Sequence, residues 1–169
     1  MKSEFKDPIT QKIADFIVDT GLRLEKACID EETFLPGLLV KDGGIIVDED
    51  GLKYPGDLLH EAGHLALASG EIRRTLSGEV RLPGQAMEPV EAQAMAWSYA
   101  AALFLEIDPR VVFHEGGYFG ASEGLLLNFA VGAYIGVNGL VDAGLTVFGE
   151  AANATSIQPY PHMIKWLRD

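Results

Sequence analysis

The chain is poor in cysteine, in basic residues and in long apolar runs, and each shortage excludes something. One cysteine, Cys28, stands among 169 residues, so no internal disulfide can form. It reads as a small buried hydrophobe rather than a nucleophile. No run reaches eighteen apolar residues, so no membrane span is expected. The opening MKSEFKDPITQK lacks the apolar centre of a signal peptide. Lysine and arginine number 13 against 25 acidic residues, a net charge of −12. Such a surface repels a phosphate backbone and argues against nucleic-acid binding. The glycines at 116, 117, 120 and 124 come without a P-loop lysine or a dinucleotide fingerprint, which argues against a nucleotide site. The expectation is a cytoplasmic protein with neither a membrane nor a nucleic-acid partner.

Hydrophobic residues make up 48% and charged residues 22%, an ordinary globular balance. One domain over residues 1–169 is expected. Histidine is scarce, with four in all, yet two of them fall in His60-Glu61-Ala62-Gly63-His64. On a helix, residues four apart share a face, so both imidazoles can meet at one metal ion. The flanks Leu58, Leu59, Leu65, Ala66 and Leu67 are more apolar than a surface helix would carry. A catalytic zinc needs a third protein ligand and one open position. Glu61, next to the first ligand, can reach water at that position without binding the metal itself.

Residues 8–27 are predicted as one amphipathic helix, with Pro8 in its first turn and Ile9, Ile13, Phe16, Ile17 and Leu24 on one stripe. Leu38-Leu39-Val40 and Ile45-Ile46-Val47 flank Asp42-Gly43, a hairpin signal. The acidic turn at 48–51 lacks the ligand alternation of a calcium loop. The histidine helix is expected to open at Pro55-Gly56-Asp57 with Asp57 as its cap, and to close near Gly70. Arg73 and Arg74 read as solvated surface charge in a connection over 71–87. A second helix is predicted over residues 89–106, rich in alanine so that another backbone can approach closely. Glu91 lies on it among apolar residues, and a buried carboxylate needs a partner. Zinc would be that partner. Glu88 is the alternative, but a helix N-terminus already accounts for it. A helix over 123–135 capped by Ser122, a short apolar helix over 138–148 and a terminal helix HMIKWLR are also expected.

HEAGH followed by Glu91-Ala92-Gln93-Ala94-Met95-Ala96-Trp97 resembles the ImmA/IrrE-like zinc metallopeptidases, of the gluzincin group. Glu91, Ala94 and Trp97 fall at that family's offsets over roughly residues 40–105. Met95 stands where the family usually has asparagine. The resemblance implies a zincin-like α+β fold, mostly helical, with a small antiparallel sheet beside two active-site helices. It implies Zn2+ on His60, His64 and Glu91, with Glu61 as general base in hydrolysis of a peptide or protein substrate. A strand edge near 44–48 could hold that peptide. His114 and Tyr118 are candidate stabilisers of the transition state. The other reading is a metal-binding regulatory protein that cleaves nothing. The sequence does not set the oligomeric state.

Overall fold

A computed structural model describes residues 2–80 and 87–169. Helix α1, Pro8–Asp19, starts as its sequence dictates. Proline occupies the first turn and the Asp7 carboxylate accepts from the Thr10 backbone N–H at 2.7 Å. Ile13, Phe16 and Ile17 point into the core. The helix does not continue to residue 27. Gly21, at φ 100°, adopts a backbone that side-chain-bearing residues avoid, and the chain turns into strand β1, Arg23–Lys26. Leu22 and Leu24 then face inward while Arg23 and Glu25 face out. That is a period of two, and the Leu24 of the presumed helical stripe belongs to it.

Strands β2, Leu38–Lys41, and β3, Gly44–Val47, form the expected hairpin, with Lys41 opposite Gly44. Asp42 and Gly43 make the turn at φ 48° and 70°, as a two-residue hairpin loop requires. Strand β1 pairs parallel to β3, so the order is β1-β3-β2 and the sheet is mixed rather than antiparallel throughout. The consequence for the site is direct. The segment near 44–48, expected to offer an edge to a peptide, is the central strand and is bonded on both sides. Strands β1 and β2 have the outer positions.

Helix α2, Gly56–Leu67, is buried at eleven of its twelve positions. Its partner is α4, Met87–Phe104. A Cβ on Gly63 would lie 3.1 Å from the Ala94 carbonyl oxygen and 3.2 Å from its Cα, so the absent side chain lets the two backbones touch. Ala94, Ala96, Ala100 and Trp97 on α4 are fully buried. This close crossing sets Glu91, one turn before Ala94, beside the histidines of α2. The cap of α2 is Pro55, with no side-chain hydrogen bond. Asp57 is therefore not the cap but a buried residue of the first turn.

The expected connection after α2 contains a four-residue helix, α3, Gly70–Arg73; residues 81–86 of it lie outside the described residues. Arg73 is not simply solvated. Its guanidinium donates to the Leu65 and Ala68 carbonyls at 2.8 and 2.7 Å, satisfying the open C-terminal end of α2. Helix α5, Ser122–Ala130, is shorter than expected, and the Ser122 hydroxyl donates back to the His114 carbonyl rather than capping it. Ala130 at its end and Ala133 beyond it are exposed. Helices α6, Val137–Asp142, and α7, Glu150–Thr155, follow.

The tail is not helical. Its backbone bonds to other elements instead, with Ile164 N–H to the Leu145 carbonyl and Arg168 N–H to that of Ala66. The Trp166 carbonyl accepts from the Trp97 indole at 3.0 Å. Cys28, expected inside, is exposed, because it lies just beyond β1, clear of the core. Among the described residues no helix is long and apolar enough to cross a membrane.

Candidate metal centre

Three donor groups converge where α2 and α4 cross. His60 Nε2 lies 3.0 Å from one Glu91 carboxylate oxygen, and His64 Nε2 lies 3.1 Å from the other. The two Nε2 atoms are 3.1 Å apart. Their rings meet edge to face at 85°, so the nitrogens aim at a common point rather than stacking. Donors held about 2.0–2.1 Å from one tetrahedral zinc ion lie roughly 3.3 Å from each other. The observed separations are close to that figure, and two histidines with one carboxylate form a known zinc ligand set. The residues present therefore fit zinc. Glu88, three positions earlier, is exposed.

The Glu61 carboxylate completes the group, lying within 4.8 Å of the histidine donor atoms. Glu61 is buried, and burial pushes its pKa up to about 7; His60 draws it down, while Glu91 and Asp57 push it up. Glu91 responds the other way. Burial alone would raise it, but hydrogen bonds from His60 and His64 outweigh that and hold it well below the usual carboxylate range.

Around these atoms the supports differ. The Tyr118 hydroxyl lies 3.3 Å from His60 Nδ1. An Nδ1–H donated to the phenol oxygen would leave the Nε2 lone pair facing Glu91 and His64. Burial raises the Tyr118 pKa, so the phenol stays protonated. Among the described residues His64 Nδ1 is buried with no hydrogen-bond partner. His114 is turned away from the three donors. Its Nε2 meets Asp57 at 2.8 Å, and its ring stacks on Tyr54 at 3.7 Å and 9°.

The convergent atoms open on a cleft of about 880 Å3. Strand β2 supplies Leu38, Leu39 and Val40 to it, and the glycine-rich loop supplies Tyr118 and Phe119; His60, Glu61, His64 and Glu91 also line it. His114 does not line it. Tyr118 thus reaches the centre, whereas His114 acts one layer behind it.

Asp57 and Tyr54 went unnoticed as neighbours of the site in the sequence. For Asp57 a signal existed, since it lies three and four residues before His60 and Glu61 and so shares their helix face. Tyr54 had none; its place depends on a long-range contact with residues 114–116. Set against known proteins, the chain matches no family model, no curated protein and no solved structure.

Proposed function

We propose that this protein is a zincin-like, zinc-dependent peptidase, cleaving a peptide or protein substrate in the cleft between β2 and the glycine-rich loop. The observation that carries the reading is the convergence of His60, His64 and Glu91 at the floor of an open cleft with Glu61 beside them. Mere metal storage does not require that fourth group. His60, His64 and Glu91 would hold the ion. Zinc, when bound, supplies a Lewis acid that acidifies water and polarises a carbonyl.

The chain's own residues supply the remainder. A Glu61 carboxylate oxygen takes a proton from the attacking water and delivers it to the departing amine nitrogen. The Tyr118 hydroxyl, with its oxygen accepting from His60, can donate its proton to charge developing on the substrate oxygen. An extended segment can lie along β2. The Val40 carbonyl there already accepts from Gly78 N–H at 2.8 Å, which leaves a short stretch of edge and points to few backbone contacts.

The test compares wild type with Glu61→Gln, both zinc-loaded, on a peptide library read by mass spectrometry. Loss of general-base assistance costs about 10²–10⁴ in rate, so cleavage should fall by that factor while zinc content holds. Undiminished cleavage by the variant would refute the role of Glu61. A zinc-loaded wild type that cleaves nothing in a broad library would favour a metal-binding regulatory protein.

A further inference from the structure

The cleft is more one-sided in charge than the chain. Over the whole sequence there is about one basic residue for every two acidic ones. Among the described residues lining the cleft there are seven carboxylates and no lysine or arginine. Asp57, Glu61 and Glu91 are accounted for by the site, and Glu79 has an interaction of its own. Glu31, Glu32 and Glu115 are not. All three are exposed, and they come from two separate segments, one leading into β2 and one at the start of the glycine-rich loop. None has an ion pair or hydrogen bond among the described residues.

The same two segments each present an aromatic ring. Phe34 is 77% exposed and Phe119 wholly so, and both line the cleft. Phe119 and Tyr118 sit consecutively at φ 53° and 56°, a left-handed backbone that costs free energy in residues with a Cβ. Exposed aromatic faces beside unpaired carboxylates suit the long apolar stems and charged heads of lysine and arginine.

Resting on the peptidase reading above, we propose that the substrate is a cationic segment rich in lysine or arginine, held by Glu31, Glu32 and Glu115 together with Phe34 and Phe119. An acidic peptide would meet like charge at the same places and be excluded, which supplies selectivity by repulsion as well as attraction.

Two fluorescein-labelled decapeptides test this, each with a central Leu-Phe pair, one flanked by lysines and the other by glutamates. Binding to zinc-loaded Glu61→Gln is read by anisotropy, and cleavage by zinc-loaded wild type by mass spectrometry. Exposed charge pairs are individually weak, so three together should favour the lysine peptide about tenfold at low salt. That gap should close at about 1 M salt, where the screening length is ~3 Å. The triple variant Glu31→Lys, Glu32→Lys, Glu115→Lys should reverse the preference while its zinc content stays at the wild-type level. Equal or tighter binding of the glutamate peptide, no binding of either, or a lysine preference that survives the triple variant would each overturn the proposal. Failure of the peptidase reading shows separately, as intact peptides of both kinds alongside a clear binding preference.

Discussion

His60 approaches Glu91 to 3.0 Å, and His114 approaches Asp57 to 2.8 Å. By distance the two contacts are nearly equivalent, and all four residues are at least half-buried. Their surroundings separate them. The first pair is joined by His64, whose Nε2 lies 3.1 Å from that of His60 and 3.1 Å from the other Glu91 oxygen, and it opens on a cleft. In the second only Asp57 reaches the cleft; His114 is covered by the stacked ring of Tyr54, and its Nδ1 has no hydrogen-bond partner among the described residues. A histidine beside a carboxylate is thus not by itself a metal site; a metal needs further converging donors, and a catalytic metal an open position as well. The His114–Asp57 pair joins the first turn of α2 to the chain just before the glycine-rich loop. It anchors the base of that loop, while Tyr118 touches His60 from further along it.

Breaking the His114–Asp57 pair gives the larger effect. His114→Ala strands the Asp57 carboxylate in a largely buried place and removes the ring stacked on Tyr54. A loss of about 1–3 kcal/mol in unfolding free energy is expected from the unsatisfied group, measured by urea titration of the zinc-loaded protein. Zinc should remain at the wild-type level. Zinc loss equal to that of a ligand variant would mean that the two pairs are one site and that the comparison fails.

Tyr118→Phe sharpens the comparison from the other side. It keeps the ring and removes the hydroxyl that meets His60 Nδ1. Partners behind metal-binding histidines typically contribute about 10–100-fold in affinity. With a contact at 3.3 Å the expectation is the lower end, a weakening of about tenfold in competition with a zinc chelator. Unchanged affinity would show that Tyr118 does not orient His60.

The central features could be read from the sequence because they are local. The His60–His64 spacing, the hairpin around Asp42-Gly43 and the apolar flanks of α2 each depend on neighbours a few residues away. The place of Glu91 was also accessible, through the alanines that allow α4 to approach Gly63. What escaped was non-local or hidden by overlapping periods. Leu24 fits a helical stripe from α1 and equally the alternation of β1; Gly21 decides between them. The tail reads as helical by composition, but its N–H groups find better partners at Leu145 and Ala66. The edge strand was misassigned because nothing near residues 44–48 reveals that β1, twenty residues earlier, pairs with them in parallel.

The central claim concerns one metal held by His60, His64 and Glu91, and metal content tests it most directly. Protein prepared without chelators, alongside Glu91→Gln and Glu88→Gln, is taken for elemental analysis after exchange into zinc-free buffer. The account predicts about one zinc per chain in the wild type and in Glu88→Gln, and a large loss in Glu91→Gln. A wild type that carries no zinc and takes up none when it is supplied, or a loss confined to Glu88→Gln, would contradict it.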